Sequence, residues 1–261
     1  MSTSERSGSR QAEVTRHFEN YSRGDRWGEL YDPSNPLSHS FLARRRKAME
    51  LLGDLDGRKL LDMGCGSGPL IPSLAGSTVE YTGIDISAGM IAAAQHHIDE
   101  LGIAKRFHVQ VGSVDALPFA ADSFDAVVGM GLLEYFDHPE TVIAEALRVV
   151  KPGGPVVFTV PRRHSVNETL VGLTSPLRAI GREVTRKGRE VDHSRFTDAE
   201  FKDLFVRQGG RVIGERLYNK VILPYPVPRF FPRVAQRAAQ WAEDRDALAV
   251  FATGYIVAGT K

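Results

Sequence analysis

A single cysteine, Cys65, is present among 261 residues. One thiol forms no intrachain disulfide and cannot complete a zinc site that needs two or more thiolates, so the chain suits a reducing compartment and no metal site is expected. A charge excess is missing as well. Lys+Arg 33 against Asp+Glu 32 leaves a formal net charge of +1, too even a balance for a protein that grips a nucleic-acid backbone through overall charge. No stretch approaches the roughly 18 consecutive apolar residues of a membrane span. The opening residues, MSTSERSGSRQAE, lack the apolar centre of a secretory signal. These absences predict a cytoplasmic protein with no nucleic-acid partner and no stable membrane insertion; it is expected to act as a monomer or homodimer. What is present, 42% hydrophobic and 25% charged residues, supports a folded core, and the length suits one enlarged domain.

The composition changes along the chain. Residues 1–13 are polar and Ser-rich, without an apolar period, and are expected to form a disordered tail. Residues 14–56 bring aromatic residues (Phe18, Tyr21, Trp27, Tyr31) and then apolar positions at helical spacing around Arg44-Arg45-Arg46-Lys47, which predicts a helical arm acting as a lid. From residue 57 short apolar runs alternate with amphipathic stretches: KLLDMG, EYTGIDI, FHVQVGS, FDAVVGMG and GPVVFTVP. Runs that short and that continuously apolar, separated by helical segments such as 89–101 and 139–150, describe a doubly wound α/β domain with a mostly parallel sheet. GRVIGERLYN and LAVFATGYIVAGTK then predict an antiparallel finish. Residues 162–195 and 220–247 interrupt this pattern and are read as lid insertions, since long loops at the ligand edge of such a sheet are usually functional.

The sharpest local signal is Leu61-Asp62-Met63-Gly64-Cys65-Gly66-Ser67-Gly68. Three glycines at alternate positions between a strand and a helix let the backbone turn sharply and approach a ligand closely. The dinucleotide fingerprint requires its third glycine three residues after the second, and Pro69 occupies that position here. Asp62 can meet the ammonium of a zwitterionic amino acid. Asp85, about 20 residues on, can accept both hydroxyls of an unphosphorylated ribose. Ser113-Val114-Asp115-Ala116-Leu117 follows the third run, where Asp115 can accept from an exocyclic amine while Ala116 and Leu117 flank a purine. Three ligand groups at the ends of three successive strands converge on one crevice.

With these residues in place, the chain resembles the class I S-adenosylmethionine-dependent methyltransferases. LLDMGCGSG is similar to the family's first motif, YTGIDIS to its ribose-binding strand and GSVDALPF to its adenine loop. SFDAVVGMGLLEYFDHPETVIAEALRVVKPGGPVVFTVP resembles its fourth-to-fifth strand block. The likeness covers about residues 57–161 and the terminal strand. It implies a seven-stranded Rossmann-like sheet and S-adenosylmethionine held by Asp62, Gly64, Cys65, Gly66, Gly68, Asp85, Ile86, Met90, Ser113, Asp115, Ala116 and Met130, with S-adenosylhomocysteine as product. The lead-in is similar to those of small-molecule members related to the quinone and magnesium-protoporphyrin enzymes, in which the arm sets an aromatic residue near the sulfonium. Tyr21, Trp27 and Tyr31 are candidates here, Tyr31 on the substrate side. The Asn/Asp-Pro-Pro-Tyr/Phe motif of nucleic-acid amino-methyltransferases is replaced by Gly131-Leu132-Leu133-Glu134-Tyr135, which disfavours a DNA base as acceptor.

Methyl transfer to a hydroxyl or an acidic carbon gains from a general base. Glu134 and Tyr135 follow the fourth strand, and His164 and His193 border the insertion; these four are the catalytic candidates. His138 reads as part of a helix start. Arg162 and Arg163 open an arginine-rich stretch beside apolar residues and are expected to meet an anionic group on an apolar acceptor. The competing readings are a nucleotide-dependent oxidoreductase and a non-catalytic cofactor-binding protein.

Overall fold

The computed structural model describes residues 3–22, 27–35, 38–163, 166, 194–223 and 227–261. Seven strands form one sheet: β1 (Lys59–Met63), β2 (Glu80–Asp85), β3 (Phe107–Val111), β4 (Ala126–Met130), β5 (Pro155–Pro161), β6 (Arg211–Lys220) and β7 (Ala252–Thr260). Their order is β3-β2-β1-β4-β5-β7-β6. β1 to β5 pair in parallel, and β7 runs antiparallel to both β5 and β6. The order reverses between β1 and β4, which opens a crevice at their carboxyl ends.

Burial on both faces explains the unbroken apolar runs. Leu61 and Val127 point into a core with Ile143, Ala146, Phe201 and Phe205. Their neighbours Leu60 and Val128 point into a second core with Ala48, Leu52, Ile71, Ala94 and Ile98. The period-two alternation of a strand places successive residues on opposite faces, and each buried Leu, Val or Phe contributes about 1.5–3 kcal/mol.

The helices are α1 (Thr3–Ser22), α2 (His39–Leu52), α3 (Ile71–Leu74), α4 (Ala88–Leu101), α5 (Pro139–Val149), α6 (Asp198–Arg207), α7 (Val227–Phe230) and α8 (Pro232–Glu243). α4 starts on the Ser87 side chain, which accepts from the Met90 amide, and ends on Gly102 in the left-handed conformation. Thr197 and Glu200 form a capping box at the start of α6.

Two expectations about the chain's organisation change. The polar opening is helical from Thr3 onward, and its Arg10 and Gln11 bond to Asp137 and Ser113 at the sheet's ligand edge. The described part of 220–247 is no lid over the crevice: α7 and α8 pack on one another, and α8 packs against α2 and β6. Most of 162–195 lies outside the described residues.

Candidate functional site

The glycine loop leaves β1 with Gly64, Gly66 and Gly68 at φ of 69°, 55° and 79°, a region that costs other residues roughly 1–2 kcal/mol. Two constraints hold it. The amides of Gly64 and Cys65 donate to the Ile84 carbonyl at 2.8 and 3.1 Å, and the Gly66 amide donates to Asp85 Oδ2 at 2.9 Å. The other Asp85 oxygen accepts from the Ser87 amide at 2.9 Å, so one carboxylate ties the loop to the start of α4. Burial raises the Asp85 pKa above its ordinary range, while those amides pull the other way.

Asp62 lies below the loop, 1% exposed. Tyr81 Oη donates to it at 2.8 Å. Burial, with the Asp85 charge nearby, pushes its pKa up to about 7. Such a carboxyl lacks a cation, and a ligand ammonium would supply one.

The crevice is lined from this loop by Asp62, Gly64, Cys65 and Gly66, from β2 by Asp85 and Ile86, from the turn after β3 by Ser113, Val114 and Asp115, and beyond β4 by Met130, Gly131, Leu132 and Tyr135. α1 closes it with Arg10, Gln11, Val14 and Phe18, and the following segment adds Trp27 and Tyr31. Gln11 Nε2 donates to Ser113 Oγ at 3.1 Å, and Ser113 donates to Asp115. Arg10 pairs with Asp137. Glu19 reaches the start of α4, accepting from Ser87 Oγ at 2.9 Å and from the Gly89 amide at 3.2 Å, a favourable place for a carboxylate at a helix N-terminus. The Phe18 ring stands edge-on to Trp27 and Tyr135, with centroids 5.4 and 5.3 Å away.

A buried polar cluster adjoins the far side of the crevice. Arg44 of α2 is 8% exposed and Glu134 is 7% exposed. Arg44 Nη2 donates to Tyr31 Oη at 2.6 Å. A side chain at Gly131 would collide with Arg44 Nη1 and come within 3.4 Å of Glu134 Oε1, so the glycine lets both charged side chains pack against the backbone of the crevice wall. Arg44 Nε and Glu134 Oε2 are buried and without hydrogen-bond partners among the described residues. Burial pushes the Glu134 pKa up to about 7 although the Arg44 charge opposes it. Burial works against the Arg44 charge too, but Tyr31, Tyr218 and Glu134 more than offset it, and its pKa is raised. Tyr218 of β6 completes the cluster, its pKa raised to about 12 by burial. Gly254 on β7 leaves the room for its ring.

Several expected site residues stand elsewhere. Arg162 does not face the crevice: its fork is bidentate on Asp198, both contacts 2.8 Å, and Nη1 donates to the Ala249 carbonyl at 3.2 Å. Arg163 is engaged by Glu200 at 3.1 Å and by the Arg195 carbonyl at 2.7 Å. Arg162 is thus turned to Asp198 and Arg163 to Glu200, and neither lines the crevice. Gly68 turns the loop over Ile71 and Ala94 instead of lining the crevice, Met90 is fully buried in the core, and Ala116 is exposed. Tyr21 packs against Trp27 and His17, and it is Phe18 and Trp27 that face the crevice. His164 and His193 lie outside the described residues. His138 precedes α5 and is exposed beside Glu140.

Residues 61–158 match a family model described as a methyltransferase domain. A ubiquinone biosynthesis O-methyltransferase of Sodalis glossinidius (strain morsitans) is 35% identical over 141 residues, 53% of this chain and 55% of that protein. The chain therefore spans about half the length of the curated relatives it matches. Among solved structures, a chain of the complex between the Haloferax volcanii Trm112 methyltransferase activator and the putative methyltransferase fits with a TM-score of 0.67 at 21% identity, over 93% of this chain and 96% of that one. Magnesium protoporphyrin IX methyltransferase of Synechocystis PCC 6803 fits with a TM-score of 0.65 at 15% identity, over 96% and 99%. At these identities the structures attest the fold alone. Over residues 61–158 the chain is thus similar to methyltransferase domains. The oxidoreductase alternative finds no support in these matches.

The residues present fit the family's methyl donor. Gly64 and Gly66 line the crevice and let Leu132 and Trp27 approach the loop more closely than a Cβ would allow. Asp62 offers a carboxyl to an ammonium, Asp85 retains acceptor lone pairs for ribose hydroxyls, and Ser113 with Asp115 borders the place of the base. Phe18 and Trp27 present ring surface toward the crevice, the surface a sulfonium favours.

Proposed function

We propose that this chain is an S-adenosylmethionine-dependent methyltransferase acting on a small molecule that carries an ionisable hydroxyl or an acidic carbon, with Glu134 as the proton acceptor. The observation that carries this reading is the buried Glu134 carboxylate, one oxygen without a hydrogen-bond partner among the described residues, packed with Arg44 against Gly131 of the crevice wall. Bound S-adenosylmethionine supplies an electrophilic methyl group, and alignment in a dry crevice can lower the barrier by about 7–11 kcal/mol. Asp85 and the glycine loop hold the ribose end, Asp62 the amino-acid end, and Phe18 and Trp27 exclude water. Glu134, with its pKa near 7, is suited to take a proton at neutral pH, and Arg44 is suited to stabilise the resulting anion. The O-methyltransferase relatives are consistent with a hydroxyl acceptor. Tyr135, Tyr31 and Leu132 would border the acceptor.

The test is incubation of the full chain with isotopically labelled S-adenosylmethionine and a panel of phenols, catechols and enolic ketones, read by mass spectrometry, beside calorimetry with S-adenosylhomocysteine. Labelled product from a hydroxyl or acidic-carbon acceptor, lost in Glu134→Gln, supports the proposal. Product formed only on amines, or undiminished in Glu134→Gln, overturns it.

A further inference from the structure

Outside the crevice, the connection of α7 to α8 carries an unusual surface. Phe230 and Phe231 are 66% and 62% exposed, and Val234 and Trp241 are each 55% exposed. Scattered apolar residues are ordinary on a surface, but four large ones on consecutive helices mark an interaction site. The helix is inverted relative to a usual surface helix. Its inner face is made of Ala239 and Ala242 with buried Glu243, while its large apolar residues point outward.

Its attachment is polar and secure. The Glu243 carboxylate meets His39 Nε2 at 3.1 Å and Lys47 Nζ at 3.2 Å, and accepts from the amides of Asn219 and Lys220. α8 is thus held in place without using its aromatic residues.

Charge decides the kind of partner. Val234 and Trp241 lie seven residues apart on one helix face, with Arg237 between them and Arg233 beside them. Both arginines are exposed, and neither has an acidic partner among the described residues. The Arg245 guanidinium lies 3.9 Å from the Trp241 ring centroid, and the nearby acid, Asp244, is engaged by Arg46 at 2.7 Å. Four apolar side chains and two free arginines fall well short of the roughly 20–30 residues a side of a stable protein interface. Aromatic rings interleaved with arginine on a helix lying flat on the protein suit the headgroup layer of a bilayer.

We propose that α7 and α8 dock the protein on an anionic membrane surface, with Phe230, Phe231, Val234 and Trp241 entering the headgroup layer and Arg233 and Arg237 meeting lipid phosphates. The attachment is peripheral: among the described residues no helix is long and apolar enough to cross a membrane. Gln236 Nε2 donates to the Asn35 carbonyl at 3.4 Å, so the docking face is continuous with the segment that carries Tyr31 to the crevice.

The experiment is co-sedimentation of the full chain with phosphatidylcholine vesicles, with and without phosphatidylglycerol, at low and high salt. Binding is expected to the anionic vesicles and to weaken with salt. Arg233→Gln with Arg237→Gln should reduce partition more than tenfold, about fivefold for each arginine. Phe231→Ser with Trp241→Ser should reduce it comparably, with thermal unfolding unchanged because both residues are exposed. Wild-type protein remaining in the supernatant with both vesicle types overturns the proposal, as does binding undiminished in either double variant. A dimer by light scattering that separates on Phe231→Ser also overturns it, by making the face a contact between copies of the chain. None of these readouts depends on methyl transfer.

Discussion

The two sides of the crevice are built differently. On the side proposed for the methyl donor, Asp62, Gly64, Gly66 and Asp85 come from one strand-loop-helix-strand stretch, and the critical contacts use backbone: the Gly66 and Ser87 amides on Asp85, and the Gly64 and Cys65 amides on Ile84. On the side proposed for the acceptor, Phe18, Tyr31, Arg44, Glu134 and Tyr218 come from five separate parts of the chain, and they meet largely through side chains, as in the Phe18–Tyr135 ring contact and the Arg44–Tyr31 hydrogen bond. Backbone sites tolerate a change of partner poorly but vary little. Side-chain sites can be rebuilt one residue at a time, which is where proteins that share this fold can differ in the molecule they accept.

Mutations can break this comparison. The largest effect is expected from Glu134→Gln, which should lower kcat by roughly a hundredfold if a proton is taken in the transition state, with S-adenosylhomocysteine affinity unchanged by calorimetry. In the wild type the rate should rise with pH through about 7, as Glu134 ionises, and level off above; the variant should lose that limb. A donor-side failure would instead show as lost affinity.

Asp85→Ala removes charge-assisted bonds worth about 1.5–3 kcal/mol and frees the Gly66 amide, so S-adenosylhomocysteine binding should weaken tenfold or more on the folded variant. An unaltered dissociation constant would remove Asp85 from the site. Next, Glu19→Ala deletes a side chain that satisfies the start of α4, a cap worth about 1 kcal/mol. It should weaken donor retention several-fold, seen as faster dissociation in stopped flow, while the sheet stays folded.

A smaller effect comes from Asp62. Its pKa of about 7 should fall when an ammonium arrives, so donor binding should release a proton below pH 7 and tighten as the pH rises toward it. Calorimetry in buffers of different ionisation enthalpy measures that proton directly, and none would be released by Asp62→Asn. The smallest change on the acceptor side is predicted for Arg162→Gln, which breaks a part-buried pair worth about 1 kcal/mol and should lower the melting temperature while leaving the acceptor KM alone.

Legibility in the sequence follows the same division. The glycine loop and the two acids could be read because a few adjacent residues carry their conformation. The arm's closing face was hidden by a polar composition, yet Gln11, Val14 and Phe18 stand three and then four residues apart, the spacing of one helix face. Arg162 and Arg163 misled because a cluster of arginines says nothing of which acids the fold brings to it, and Asp198 and Glu200 arrive from beyond the insertion.

Arg44-Arg45-Arg46-Lys47 marks where sequence alone ends. Composition and helical spacing determined that these four cations ride on α2, and the alternation of short apolar runs determined the doubly wound sheet, since both depend on periodicities within one element. A helix advances about 100° per residue, so the four point in different directions: Arg44 to Tyr31, Arg45 to the Pro69 carbonyl, Arg46 to Asp244 and Lys47 to Glu243. Which of them faces the crevice depends on how α2 is rotated against β4, β5 and β6. Only the packing of Ala43, Ala48 and Leu52 into the core decides that rotation, and with it which guanidinium reaches Tyr31 and lies beside Gly131.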